Sequence, residues 1–170
     1  MNDELTGLAD LRELHAVLDR EIERSRRLER PLGLVMLDLD DFRWVNDGHG
    51  HRKGDEVLVA VARAVREVAA GVGVPARYGG EQLVVVVPET GCEGAAHLAE
   101  RMRRAVESLR IEGGERLGSL RVTASFGAAA ISTSGGDKES LIAAADAALY
   151  RAKRAGKNRV ERAGAAPVSA

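Results

Sequence analysis

Aromatic side chains are scarce in this chain, which has two Phe, two Tyr and one Trp in 170 residues. Its core must therefore be built mainly from Val, Leu and Ala. Cysteine is scarcer still. The single Cys92 excludes an internal disulfide and fits a reducing compartment. Neither sign of charge dominates: 25 Lys and Arg stand against 26 Asp and Glu, a formal charge of -1. That balance excludes a surface built to coat nucleic acid, which needs a strong basic excess. No apolar run approaches the roughly 20 residues of a membrane-spanning helix. The polar start, Met1-Asn2-Asp3-Glu4, does not read as a secretory leader. The expectation is a cytoplasmic protein with no membrane segment and no nucleic-acid partner, either whole or the cytosolic fragment of something longer.

What is present is the hydrophobic pattern of one α/β domain. Leu8, Leu11, Leu14, Leu18 and Ile22 recur at helical spacing up to about Leu28, and Pro31 ends that segment. The basic run Arg24–Arg30 reads as a solvated helix end. Leu32 to Leu37 is apolar on both faces, as a central strand requires. A short helix near Asp41 to Val45 and a loop over Asn46–Gly54 follow, then a helix over Asp55–Ala70. Gly71–Pro75 reads as a turn. Ala76–Tyr78 and Glu81–Val87 flank Gly79-Gly80 as a tight hairpin. A helix is expected over Glu93–Leu109, a Gly-rich hairpin or loop over Arg110–Ser119, and an alternating strand pair over Leu120–Ile131. An Ala-rich helix over Asp137–Arg154, capped by Gly156, and an edge strand at Arg159–Glu161 complete the pattern. The expected architecture is a single-domain α/β sandwich: a mixed central sheet flanked by helices, plus a β-hairpin. The domain spans residues 1–162, with a disordered tail over 163–170.

Two of these strands end in acid. The first, Leu34-Val35-Met36-Leu37, runs into Asp38-Leu39-Asp40-Asp41. The second, Leu83 to Val87, is preceded by Gly79-Gly80-Glu81-Gln82. Carboxylates at the rim of a buried sheet are costly unless a positive charge compensates them. Oxygen-only ligands in such a place suit Mg²⁺, which binds substrate phosphates beside one or two protein carboxylates. Phosphoryl or nucleotidyl transfer follows from that chemistry.

Five segments together carry a stronger signal. They are Asp3-Glu4-Leu5-Thr6-Gly7-Leu8, the stretch from Leu37 to Asp47, Gly50-His51-Arg52-Lys53-Gly54-Asp55, Arg77-Tyr78-Gly79-Gly80-Glu81-Gln82-Leu83, and the stretch from Ala147 to Asn158. Their order and spacing, from about Asp3 to Val160, resemble the GGDEF family of diguanylate cyclases. The resemblance implies a fold like the palm of nucleotide polymerases and cyclases. It implies condensation of two GTP into cyclic di-GMP with release of pyrophosphate, using Mg²⁺ or Mn²⁺. Each domain would hold one GTP, so a homodimer must form face to face.

The same resemblance assigns residues. Asp38, the backbone carbonyl of Leu39, and Glu81 match metal ligands, and Glu81 also matches the base for the ribose 3′-hydroxyl. Three acids exceed the needs of one helix cap, so Asp40 or Asp41 is left for capping. Gly79 and Gly80 match glycines against which the nucleotide lies, although a turn alone would ask for glycine. Asn46 and Asp55 match the guanine-reading pair: a carboxylate accepts from N1–H and the exocyclic amine of guanine, and adenine offers no such donors. Asp55 equally resembles a helix N-cap, and His51, a substrate-contact position, is equally an ordinary loop histidine. Phe42 and Arg43 open a helix whose free N–H groups suit phosphate; Arg43 stands where lysine is usual. Lys153 and Lys157 match the triphosphate-binding pair, and read by themselves as a basic helix end.

Three departures stand out. Gln82 replaces the acid at the fourth signature position and removes a charge from the metal site, so reduced affinity and rate are expected. Leu83 replaces Phe, and Asp10 replaces Asn in the opening motif. The Arg-x-x-Asp feedback motif is absent, its positions being Ala70 and Gly73, so no product inhibition through it is expected. The resemblance also leads one to expect an upstream sensor domain, absent or removed here. The competing function is a degenerate GGDEF domain that binds GTP or a protein partner and signals without chemistry. Relaxed nucleotide choice is disfavoured by Asp55.

Overall fold

The computed structural model describes residues 1–113, 118–132 and 136–164. Its centre is β1 (Leu32–Leu39), and every residue of this strand but Asp38 is buried. β3 (Gln82–Pro88) and β6 (Ala124–Ile131) pair with it antiparallel on either side. The outer positions go to β2 (Val74–Gly79), antiparallel to β3, and β7 (Val160–Arg162), parallel to β6. The order is therefore β2-β3-β1-β6-β7, a mixed five-stranded sheet as expected. Pro75 is tolerated because β2 is an edge strand.

Period-two alternation assigns the two faces. Val35, Leu37, Leu39, Leu83, Val85 and Phe126 face one apolar cluster, built with α3 (His51–Ala69) and α4 (Cys92–Glu107). Leu34, Met36, Val84, Val86 and Ala129 face the other, built with α1 (Leu11–Leu28) and α5 (Lys138–Arg154). By the same alternation Asp38 lies on the α5 side. Val, Leu and Ala dominate both clusters, with Phe126 the largest fully buried side chain. Helix α5 comes very close to the sheet at Gly127, where an added Cβ would stand 2.2 Å from the Ala145 carbonyl oxygen.

Several boundaries differ from expectation for local reasons. Helix α1 starts at Leu11 because the Asp10 side chain accepts from the Glu13 N–H at 2.8 Å. This gives Asp10 a role that the sequence did not. The loop expected over 46–54 is helical apart from one residue. Helix α2 (Phe42–His49) runs to Gly50, whose φ of 87° turns the chain straight into α3. Asp55 therefore lies inside α3 and is not its N-cap. In the hairpin, Gly79 pairs with Gln82, so the two connecting residues are Gly80 and Glu81, with a bulge between Arg77 and Gly79. The strand pair expected over 120–131 is unequal, and its two members join different sheets. Leu120 belongs to β5 (Ser119–Leu120), which pairs with β4 (Ile111–Glu112) outside the main sheet, and only β6 joins β1. Helix α5 ends on Ala155, with Gly156, Lys157 and Asn158 following at positive φ. The expected tail begins at 163, yet Ala163 donates its N–H to the Ala128 carbonyl at 2.7 Å; residues 165–170 lie outside the described residues. None of the described helices is long and apolar enough to cross a membrane.

Candidate active site

The rim where β1 meets α2 gathers the acids. Asp38 is the last residue of β1 with an antiparallel partner in both neighbouring strands, Gln82 in β3 and Ser125 in β6. Burial pushes its carboxyl above the usual range; the nearby Glu81 adds to that rise and Lys153 opposes it. Asp38 and Glu81 therefore lie within electrostatic reach of one another. Lys153 comes across from α5. Its Nζ lies 3.5 Å from Asp38 Oδ1, 3.2 Å from the Asp38 carbonyl and 3.0 Å from the Leu39 carbonyl.

The sequence leaves Asp40 or Asp41 for capping, and neither side chain caps α2. Asp40 is 5% exposed and accepts four hydrogen bonds. Oδ1 takes Ser125 Oγ at 2.6 Å and Lys153 Nζ at 2.9 Å. Oδ2 takes Thr123 Oγ1 at 2.7 Å and the Asn158 backbone N–H at 2.9 Å. Burial alone would raise its carboxyl; the donors Ser125, Thr123 and Lys153 outweigh burial and hold it below the usual range. Thr123 and Ser125, polar residues at the start of an otherwise apolar strand, were the available signal. Asp41 occupies the N-cap position of α2 at φ 55°, but its side chain makes no capping bond. It pairs instead with Lys157 at 2.7 Å. The first-turn N–H groups of α2 therefore carry no side-chain cap, which leaves them open to an anion. Lys157 meets Asp41, and Lys153 meets Asp38 and Asp40, so the two lysines flank the same loop from different sides.

On α2, Phe42 packs partly into the core, while Arg43 is exposed and has no hydrogen-bonding or ion-pair partner among the described residues. Asn46 packs against α3 at Gly54. A Cβ at Gly54 would fall 1.8 Å from Asn46 Oδ1. Only glycine lets that amide lie flat against α3, next in sequence to Asp55. Asp55 itself is exposed and lines a cavity of about 370 Å³, whose apolar wall of Leu5, Val59 and Ala60 is rimmed by Glu56, Arg52 and Arg63 as well. His51 is exposed at the first position of α3 and makes no hydrogen bond among the described residues.

In the hairpin, Gly80 has φ 53° and needs to be glycine. Gly79 has no positive φ, and nothing lies within 4 Å of the Cβ it lacks. Neither a turn nor protein packing explains glycine there, which leaves room for something else against the backbone. Gln82 points its amide Nε2 to Asp146 Oδ1 of α5 at 3.4 Å. Among the described residues, no three His, Cys, Asp or Glu side chains converge on one point. A metal here would depend on two carboxylates and backbone carbonyl oxygen. The donor set fits a cation, because the Lys153 ammonium already sits on the Asp38 carboxylate and on the Asp38 and Leu39 carbonyls.

Comparison with known proteins agrees with this geometry. The family model described as "Diguanylate cyclase, GGDEF domain" matches residues 1–159, and the chain belongs to the GGDEF family. It is 35% identical over 160 residues to the response regulator PleD of Caulobacter vibrioides, covering 94% of this chain and 35% of PleD. It is 38% identical over 162 residues to the diguanylate cyclase DgcP of Pseudomonas aeruginosa, covering 95% of this chain and 24% of DgcP. The chain thus spans about a third or less of the length of these curated relatives. Among solved structures, the GGDEF domain of DgcB from Caulobacter crescentus, in complex with c-di-GMP, superposes with a TM-score of 0.90. That pair is 34% identical and covers 96% of this chain and 93% of the other.

Proposed function

We propose that this domain condenses two GTP into cyclic di-GMP, releasing pyrophosphate, and that two copies must meet for turnover because each chain carries one guanine-reading pair and one phosphate-binding set. The observation that carries this reading is the position of the Lys153 ammonium on the Asp38 carboxylate and the Asp38 and Leu39 carbonyls. It marks a set of oxygens built around positive charge. Asp38, the Leu39 carbonyl and Glu81 would hold Mg²⁺ or Mn²⁺. The bound ion supplies charge neutralisation for the attacking and leaving oxygens.

The chain's own groups do the rest. Asn46 and Asp55 orient guanine. The uncapped start of α2 and the unpaired Arg43 take phosphate oxygens. Lys153 and Lys157 shift from carboxylate to phosphate as the nucleotide arrives, so neither charge is left unpaired at any stage. Phe42 and His51 border the nucleotide, and the bare backbone at Gly79 and Gly80 lets it lie close. Glu81 accepts the proton of the ribose 3′-hydroxyl. Catalysis is then mostly positioning and electrostatics. Gln82 carries an amide where the family has an acid, which lowers the negative charge facing the cation and slows the reaction. The same residue supports a second reading: a GTP-binding or protein-binding module without turnover. The setting for either is the cytoplasm.

The test is incubation of concentrated protein with GTP and Mg²⁺ or Mn²⁺, followed by chromatography of the products. Cyclic di-GMP that disappears with Glu81→Ala is the expected result. GTP binding with no product, in both the wild type and Gln82→Glu, would replace the enzyme by the binding module.

A further inference from the structure

A cavity of about 840 Å³ lies away from the guanine-reading pair. It opens between α2, the C-terminal end of α4 and the segment 121–123 that follows β5. A volume in this range admits a nucleotide-sized ligand. The charges around it are unevenly satisfied. Its acids are engaged: Asp40 by four donors, Asp41 by Lys157, and Glu107 by Asn158 Nδ2 at 2.6 Å and Arg103 at 3.4 Å. Its arginines are not. Arg121 makes no hydrogen bond or ion pair among the described residues. Arg110 reaches only the backbone carbonyls of Ser108 and Leu109, both at 3.1 Å. Arg104 meets Glu100 at 3.2 Å with 74% of its side chain exposed, a contact that water screens strongly.

Beside these guanidinium groups stands Trp44, 61% exposed although it is the largest apolar side chain in the molecule. Its ring is steadied edge-on by His49, with centroids 5.3 Å apart and planes at 72°. Trp44 keeps most of its surface exposed despite that contact, so its indole is accessible for stacking. Unpaired planar cations suit phosphate, which they bind through paired N–H donors. An exposed indole suits a base, and base stacking on aromatic side chains is tolerant of base identity.

We propose that this cavity is a second nucleotide site, taking a nucleoside 5′-phosphate with its phosphate on Arg110 and Arg121 and its base on Trp44. The site is independent of the catalytic reading, because Asn46, Asp55 and Glu81 do not line it. It shares the Asp40–Asp41 loop with the candidate active site, and therefore has a direct route by which occupancy would alter turnover.

Trp44 is the only tryptophan, so its emission reports on the cavity directly. The probe is adenosine 5′-monophosphate, titrated without metal or GTP, because the guanine-reading pair has no match for adenine. The expected result is saturable quenching whose half-saturation rises at least tenfold in Arg110→Ala/Arg121→Ala and is unchanged in Asp55→Ala. Adenosine and inorganic phosphate, tested separately, are expected to bind more weakly than the nucleotide. Circular dichroism of the double variant checks that the fold is kept, and calorimetry on Trp44→Phe checks binding without the reporter. No saturable change, equal quenching after both arginines are removed, or loss of quenching in Asp55→Ala would overturn the proposal. Phosphate binding as tightly as the nucleotide would overturn the role given to Trp44.

Discussion

Replacing Asp40 by alanine should destabilise the domain severely, although the side chain is polar and lies at the edge of a functional site. The carboxylate is nearly inaccessible and joins four parts of the chain: Thr123, Ser125 on β6, Lys153 on α5 and the backbone at Asn158. Without it, the Ser125 hydroxyl and the Asn158 N–H lose their acceptor in a site with little water. Lys153 keeps only the longer contacts to Asp38 and the carbonyls. Breaking a buried ion pair from one side costs about 3–5 kcal/mol, and each donor left unsatisfied costs about 1–3 kcal/mol if it finds no substitute. Because Lys153 and Thr123 can turn partly to solvent, the total should stay near about 4 kcal/mol. In a domain of this size that lowers the melting temperature by roughly 8–16 °C. The assay is urea and thermal unfolding followed by circular dichroism.

The pH dependence has a definite sign. Asp40 is held below its ordinary range, so its stabilisation is complete above the unfolded-state pKa and fades as pH falls through the lower folded value. The gap between wild type and Asp40→Ala should therefore narrow in acid. Asp38 is shifted the other way, so its ionisation opposes folding as pH rises. Asp38→Asn should be neutral or stabilising near neutral pH. A loss of less than about 1 kcal/mol in Asp40→Ala, or a gap that widens in acid, would refute the reasoning.

The other predictions separate packing from recognition. Gly54→Ala favours the helix by about 0.5–1 kcal/mol but places a Cβ on Asn46 Oδ1. Stability should change little, while GTP affinity, measured by calorimetry, should fall at least several-fold; unchanged affinity would remove Asn46 from guanine recognition. Product titration against initial rate should reveal no inhibition that depends on residues 70–73. Installing the feedback motif with Ala70→Arg/Gly73→Asp should not create it, because a Cβ at Gly73 meets Val85 Cγ1 at 2.8 Å and the Val86 carbonyl at 3.0 Å. Overpacking of that kind should instead cost about 1–3 kcal/mol of stability, and inhibition by cyclic di-GMP in the double variant would contradict it.

Much of this molecule was legible before any coordinates. Doubly apolar strands, a glycine turn and helical periodicity are local properties, and they placed the sheet, the hairpin and four of the five helices nearly correctly. Helix α2 was the exception, being read as half its length. The 46–54 segment looked like a loop because its glycines and polar residues favour turns. It became helix because Val45 and the face of α3 are buried together, and Gly50 absorbs the change of direction. The signature residues could be read from their order along the chain, since each follows an element whose end the sequence marks.

The partners of Asp38, Asp40 and Asp41 could not be read in that way. Lys153 and Lys157 are more than a hundred residues distant in sequence, and only the packing of α5 on β6 at Gly127 brings them to the β1 rim. The same holds for Arg110, Arg121 and Trp44, which share a cavity that no spacing along the chain foretells. The sequence by itself determined which strands are buried, where the chain turns, and that acids end the central strands, because these depend on neighbouring side chains and backbone preferences. The tertiary structure alone decided that Asp40 anchors the fold, that Asp41 pairs with Lys157 and caps no helix, and that Asp38 faces a cation. Those roles depend on where donors from remote segments arrive, and on how much water is left between them.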